Sequence, residues 1–203
     1  MRILPFVETE EVVAAVHEAV GVIADGGVIM MPTESFYGLG VDPKRSDGVA
    51  RVGAMKGRAA DLGLPVLCSD WQQIESLVKI PEDHRVRLSR LWPAALTVIL
   101  PSAIALPAGR GHTVAVRIPS HDALRALLYR TGPLTATSAN RHGEPPFTTV
   151  DEALGSLASH PDLVLDAGPT AGGEPSTLVD LSGREPAIVR PGPVLWESPI
   201  PEI

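Results

Sequence analysis

Proline and glycine are spread along the whole chain, and their frequency is what most limits the folds open to it. The 203 residues include 20 Pro and 19 Gly, nearly a fifth of the chain, whereas roughly 12% is usual. Because proline interrupts helices and strands and glycine favours turns, the elements between these residues must be short. The sequence therefore predicts many short helices and strands joined by sharp turns.

The composition is that of a globular protein. Hydrophobic residues make up 44% and charged residues 20%, which excludes a disordered or fibrous chain. No apolar run approaches the roughly eighteen residues that cross a bilayer, so we expect no membrane partner. The single cysteine, Cys68, cannot form an internal disulfide, which fits a cytoplasmic location. A net charge of −7 argues against a large basic surface, although a local basic patch stays open.

Hydrophobic periodicity predicts a mixed α/β fold. Helices are predicted over 9–25, 47–55, 70–77, 82–91, 121–129 and 149–159. Strands are predicted over 28–31, 64–68, 96–100, 113–118, 134–137, 163–166, 177–181 and 188–190. This order is not a regular βαβ repeat, so we expect one twisted mixed sheet with helices packed on it. A single domain is expected over 1–203, with the motifs within about 10–192 and a short C-terminal tail.

Polar residues cluster where predicted strands end, which is where ligands bind in open α/β sheets. The segment PTESFYGLG over 32–40 follows a buried strand, and the hydroxyls of Thr33 and Ser35 fall on one side of an extended segment. An ordinary turn is an equally good interpretation of that segment. The segment TSAN over 137–140 follows another strand, and its hydroxyls and amide suit either phosphate binding or, more commonly, a helix cap.

Two basic segments are candidates for binding an anion. Lys56-Gly57-Arg58 places two cations at a predicted helix end, where they suit a phosphate or carboxylate or simply a solvated helix C-terminus. On the predicted strand 113–118, Thr113, Ala115 and Arg117 share one face. A mid-strand arginine usually has a carboxylate partner, which is either structural or part of an anionic substrate.

The usual catalytic signatures are absent from the sequence. There is no G-x-S-x-G motif, no Cys–His signature around Cys68 and no pair of histidines with zinc-type spacing. What is present suggests a hydroxyl-rich, arginine-bearing cleft without an obvious nucleophile. Such a cleft suits an enzyme that binds an anionic small molecule and a nucleotide and acts by positioning and charge stabilisation.

Seven segments, taken together and in order, resemble the YrdC-like family of L-threonylcarbamoyladenylate synthases. They are PTESFYGLG (32–40), KGR (56–58), LWPAALTVIL (91–100), TVAVRIPSH (113–121), TSANRHGEPP (137–146), STLVDL (176–181) and VRPG (189–192). The resemblance implies a twisted α/β sheet with an open central cleft. It also implies a nucleotidyltransferase that makes threonylcarbamoyl-AMP and pyrophosphate from L-threonine, bicarbonate and ATP, for tRNA N6-threonylcarbamoyladenosine modification.

The resemblance implies roles for individual residues. Residues expected to contact L-threonine are Thr33, Ser35, Tyr37, Arg117 and Ser176. Residues expected to contact ATP are Lys56, Arg58, Thr113, Ser138, Asn140 and Arg190. Lys56 and Arg58 are also expected to be catalytic, because cations offset the charge that develops on the triphosphate. Mg²⁺ is expected to accompany ATP, without a metal site made by the protein alone.

Three positions depart from the family's usual pattern and bear on the substrate. Ala59 stands where proline is common, Leu67 where a strand histidine is common, and His142 where a serine is common. A diverged paralogue with another carbamoyl or adenylate substrate is therefore an alternative, and a non-catalytic RNA-binding module is another. Downstream tRNA threonylcarbamoyl-transfer proteins are expected partners, and a weak contact with tRNA stays open. Segments 102–112 and 168–175 are expected to cover the cleft.

Overall fold

The computed structural model describes residues 1–57 and 63–196. Within these ranges the chain forms eleven strands and six helices. The strands are β1 (Arg2–Pro5), β2 (Ile29–Pro32), β3 (Tyr37–Gly40), β4 (Val66–Leu67), β5 (Leu96–Pro101), β6 (Thr113–Arg117), β7 (Leu134–Thr135), β8 (Thr137–Ser138), β9 (Leu163–Asp166), β10 (Thr177–Asp180) and β11 (Ala187–Arg190). The helices are α1 (Thr9–Ala24), α2 (Ser46–Lys56), α3 (Trp71–Leu77), α4 (Glu82–Leu91), α5 (Asp122–Thr131) and α6 (Val150–Ser156).

The strands form two mixed sheets. Sheet A has the order β1-β9-β2-β3-β8, and sheet B has the order β11-β10-β5-β6-β4-β7. The predicted α/β class is confirmed, but the expectation of one sheet is wrong. The predicted strand 134–137 is divided at Ala136, so that β7 pairs with β4 in sheet B and β8 pairs with β3 in sheet A. The chain thus passes directly from one sheet to the other at this point.

Strand β2 lies at the centre of sheet A and is buried on both faces. Met30 belongs to the larger apolar core, which also contains Val98 and Val116 of sheet B. Ile29 and Met31 point the other way, into a second core formed with helices α1 and α5. Continuous burial of this kind explains why the strand is apolar at every position rather than alternating.

Helix α1 covers one face of sheet A. Its buried side chains, Ala15, Val16, Ala19 and Ile23, recur at helical spacing and pack in the second core. The N-cap residue is Glu8, which forms a capping box with Glu11. None of the helices in the described ranges is long and apolar enough to cross a membrane.

Two strands were not predicted. β1 pairs in parallel with β9, which is distant in sequence, and β3 pairs with β2 and β8 within the segment interpreted above as a turn. The short β2–β3 connection, residues 33–36, places polar side chains at the end of sheet A, beside the face of β6 in sheet B that carries Thr113 and Arg117. This arrangement creates the candidate site.

Candidate active site

A cavity of about 640 Å³ is lined by residues of both sheets. Its floor is one face of sheet B, on which β6 presents Thr113, Ala115 and Arg117 and β5 presents Thr97. The alternation predicted for β6 is confirmed. Nine of the eleven predicted site residues line the cavity, namely Thr33, Ser35, Tyr37, Thr113, Arg117, Ser138, Asn140, Ser176 and Arg190. The predicted residue Arg58 and the departure at Ala59 lie outside the described residues.

The turn between β2 and β3 is shaped by Thr33. Its hydroxyl donates to the carbonyl of Phe36 at 2.7 Å and accepts from the backbone N–H of Ser35 and of Phe36. The carbonyl of Ser35 accepts from the hydroxyl of Thr170 at 2.7 Å and from the N–H of Gly172 at 2.8 Å. These bonds tie the predicted covering segment 168–175 to the turn.

Arg117 is buried in the cavity floor, with 9% of its side chain exposed. Its Nη2 donates to the carboxylate of Glu34, which also accepts from the N–H of Ser120 at 2.7 Å and from the Ser120 hydroxyl at 3.2 Å. The partner carboxylate predicted for this arginine is therefore present in the protein. The Nε of Arg117 is buried and has no hydrogen-bond partner in the part of the chain that the structure describes. Buried donors without a partner are few in folded proteins. The Arg125 Nε and the Trp196 Nε1 are two others among the described residues, but of these three residues Arg117 alone lines the cavity.

Burial and ion pairing act in opposite directions on this pair. Burial alone would raise the pKa of Glu34, but the Arg117 charge and the hydrogen bonds from the backbone and Ser120 outweigh it, so the pKa lies below its usual value. Burial lowers the pKa of Arg117, Glu34 raises it, and the nearby Arg190 charge lowers it further. Since a guanidinium stays protonated in proteins, both members of the pair are charged at neutral pH.

A second polar cluster lines the cavity beside β5. The Nε and Nη2 of Arg190 donate to the carbonyl of Ser176 at 3.2 and 2.9 Å, and the hydroxyls of Ser176 and Thr97 are 2.8 Å apart. Although Arg190 is exposed, partial desolvation against its neighbours lowers its pKa. The structure thus brings a residue predicted for threonine, Ser176, into contact with one predicted for ATP, Arg190.

Lys56 lies behind the cavity wall. The residue is 3% exposed, and its Nζ donates to the carbonyls of Ser138 and Asn140 and to the Asn140 side-chain oxygen at 3.3 Å. The Asn140 amide nitrogen in turn donates to the carbonyls of Arg141 and Glu144. Lys56 and Asn140 therefore support the loop that carries Ser138. Direct contact of either side chain with a nucleotide stays a prediction.

Tyr37 contributes to the wall through a fully buried side chain. Its hydroxyl donates to the carbonyl of Gly168 at 2.6 Å and accepts from the N–H of Ala167 at 3.0 Å. Burial raises its pKa to about 12. The phenol thus joins β3 to the segment after β9, and its predicted contact with L-threonine stays a prediction.

Sequence reasoning missed three charged residues of the site, Glu34, Arg110 and Glu144. Arg110 is exposed, lines the cavity and lies in a tight turn. Its N–H donates to the Thr113 carbonyl at 2.8 Å, and its carbonyl accepts from the Thr113 N–H at 3.1 Å. A basic residue in a glycine-rich loop is usually solvated, so the sequence carried no signal for it. Glu34 lies within the segment PTESFYGLG (32–40). The expectation that Arg117 has a carboxylate partner was the available indication that an acidic residue belongs to the site.

The described residues hold no group of three His, Cys, Asp or Glu placed to bind a metal ion. Glu144 lines the cavity, and its carboxylate accepts from the hydroxyl of Ser156. Magnesium in nucleotide sites retains waters and phosphate oxygens as ligands. Residues 1–57 and 63–196 therefore provide no such group of metal ligands.

Comparisons with known proteins bear on this cavity. The family model Sua5_yciO_yrdC, described as "Telomere recombination", matches residues 21–192. A Chromobacterium violaceum protein named threonylcarbamoyl-AMP synthase is 40% identical over 170 residues, covering 80% of this chain and 86% of that protein.

Solved structures are similar over nearly the whole chain. Pyrococcus abyssi Sua5 complexed with L-threonine superposes with a TM-score of 0.86 at 32% identity, covering 95% of this chain. This chain spans 58% of that Sua5 chain, less than two thirds of its length. E. coli YciO superposes with a TM-score of 0.81 at 22% identity, covering 93% of each chain, and this likeness supports the fold alone.

Proposed function

The chain belongs to the Sua5/YciO/YrdC family, and we propose that it is an L-threonylcarbamoyladenylate synthase. In this reaction L-threonine, bicarbonate and ATP give threonylcarbamoyl-AMP, pyrophosphate and water. The identity to proteins named threonylcarbamoyl-AMP synthase over most of the chain supports this proposal. This chain spans 54% of the Bacillus subtilis relative and 58% of the Pyrococcus abyssi Sua5 chain.

The observation that carries the proposal is Arg117 in the floor of the cavity. It is a buried guanidinium whose Nε has no partner among the described residues, in a cavity that is also lined by serine and threonine side chains. A carboxylate is the ligand that a guanidinium binds most favourably in such a place, because charge-assisted hydrogen bonds strengthen where water is excluded. We assign the carboxylate of L-threonine to this position.

The chemistry needs no protein nucleophile. The threonine nitrogen attacks the carbon of bicarbonate to form a carbamate, with loss of water, and a carbamate oxygen then attacks the α-phosphorus of ATP as pyrophosphate leaves. The protein would act by holding the reactants and offsetting phosphate charge. Arg110 and Arg190 line the cavity and suit the second task. Arg58 keeps its predicted role toward ATP.

Mg²⁺ would enter with ATP as part of the substrate. Transfer of the threonylcarbamoyl group to tRNA by other proteins and a cytoplasmic location belong to the same proposal, as does a single domain over 1–203.

Pyrophosphate release from ATP and bicarbonate tests the proposal. We expect release to depend on L-threonine and to be much smaller with L-serine, other amino acids or none. Arg117→Ala should abolish threonine-dependent release. Arg2→Ala is the matched control, because it removes an arginine from an exposed ion pair with Glu18. Absence of threonine-dependent release in folded wild-type protein would contradict the proposal.

The amino-acid panel also tests the paralogue alternative. Leu67 lines the cavity and is paired in register with Arg117, so an apolar side chain lies next to the proposed carboxylate site. Release with a different acceptor, but not with threonine, would favour a diverged paralogue. Salt-sensitive tRNA binding without any release would favour the RNA-binding module, which the net charge of −7 makes the weaker alternative.

A further inference from the structure

We propose that Glu34 is a positioning residue that holds Arg117 in the orientation required for the carboxylate of the amino-acid substrate. This inference rests on the proposed function for the nature of the ligand. Thr33 and Ser35, on either side of Glu34, line the cavity, whereas the Glu34 carboxylate lies against Ser120 and Arg117. Glu34 would therefore act through Arg117.

The contact joins the two sheets. Glu34 is in the β2–β3 turn of sheet A and Arg117 is at the end of β6 in sheet B, 83 positions later. The carboxylate is itself held by the N–H and hydroxyl of Ser120 at 2.7 and 3.2 Å. An arginine side chain has several flexible torsions, and a fixed carboxylate on one edge removes much of that freedom before a ligand binds.

Glu34 also compensates the buried positive charge of Arg117. With 9% of its side chain exposed, Arg117 would be an uncompensated buried charge without a counter-ion, and such a charge is strongly unfavourable. Glu34 compensates that charge through Nη2, while Nε remains without a partner among residues 1–57 and 63–196. Nη2 of the guanidinium thus binds Glu34, and the Nε–H is available to donate to a ligand oxygen.

Steady-state kinetics of Glu34→Gln separates positioning from general structural support. We expect the KM for L-threonine to rise about tenfold, with kcat and the KM for ATP changed by less than about twofold, because an orienting contact for one substrate is lost. Glu34→Asp keeps the charge and should recover part of the threonine affinity. Ser120→Ala loses the 3.2 Å bond and retains the backbone bond, so its threonine KM should change by less than about twofold.

A second measurement does not depend on the substrate. In ligand-free protein, ¹⁵N relaxation of the Arg117 Nε–H should report an ordered group in the wild type and a mobile one on the ps–ns timescale in Glu34→Gln. Equal order in both proteins would overturn the proposal, and so would an unchanged threonine KM in an active enzyme. A uniform fall in kcat with rises in both KM values and a lower Tm would also overturn it. If the wild type does not use threonine, the proposed function fails, and the relaxation comparison still decides the role of Glu34.

Discussion

The arginines in the floor of the cavity and those at its exposed edge are in different surroundings. Arg117 is buried and has a carboxylate partner, Glu34, whereas Arg110 and Arg190 are exposed, and Arg190 donates to a neutral carbonyl of Ser176. A buried cation needs a counter-charge and thereby gains a fixed orientation. An exposed cation needs neither, and its attraction for an anion is weakened by water and salt. We therefore expect Arg117 to recognise a ligand carboxylate and the exposed Arg110 and Arg190 to offset phosphate charge.

Conservative substitution at the two arginines tests this difference most strongly. Arg117→Lys should lower kcat/KM for L-threonine by about a hundredfold, or about 2.7 kcal/mol, because one ammonium group cannot bind Glu34 and a ligand in the planar geometry of a guanidinium. Arg190→Lys should cost less than about fivefold, since an exposed charge is retained. Initial-rate kinetics of both variants measures the contrast, and equal losses would contradict it.

Lys56 extends the comparison to a buried cation that supports a loop. Replacing it by methionine leaves the Ser138 and Asn140 carbonyls without this donor. We expect Lys56→Met to lower the free energy of unfolding by about 2–4 kcal/mol, measured by urea denaturation. Lys44→Met, at an exposed position, is the control and should change the free energy by less than about 0.5 kcal/mol. An equally small effect at Lys56 would show that the loop is held by other contacts.

The salt dependence of the KM for ATP tests whether the exposed Arg110 binds phosphate. Arg110→Ala should raise the KM for ATP about threefold at low salt, because an exposed arginine contributes a modest, screened attraction. The wild-type KM for ATP should rise between about 0.05 M and about 0.5 M NaCl, and the variant should show a smaller rise. The KM for threonine should respond little in either protein. Identical salt dependence of the ATP KM in variant and wild type would exclude Arg110 from phosphate binding.

The smallest expected effect is the pH dependence of stability. Because the folded-state pKa of Glu34 is depressed by Arg117 and its hydrogen bonds despite burial, its ion pair adds stability above the usual glutamate pKa. This contribution is lost as the pH falls through the depressed value. The difference in free energy of unfolding between wild type and Glu34→Gln should therefore be largest near pH 7 and narrow steadily below about pH 4.5. A constant difference from pH 7 to pH 3 would contradict the assignment.

Local sequence patterns were sufficient to predict the bounds of some helices and strands. Helix α4 (Glu82–Leu91) and strand β9 (Leu163–Asp166) have their predicted bounds, because Pro81 and Pro93 delimit the helix and a short apolar run defines the strand. Strand β3 (Tyr37–Gly40) was missed because half of it is glycine, which is typical of turns. Pairing with β2 makes it a strand, and a Cβ on Gly40 would lie 3.0 Å from the Met31 side chain.

The site shows the same division between local and long-range information. Side-chain alternation along β6 places Arg117 on the face of Thr113 in any strand of this sequence, so the floor of the cavity was predictable. The carboxylate that faces Arg117 was not, because Glu34 is 83 positions away and is one of 24 acidic residues. Which arginines are buried, and hence which need such a partner, depends on how the two sheets pack together, and burial is a property of the packed structure rather than of any segment.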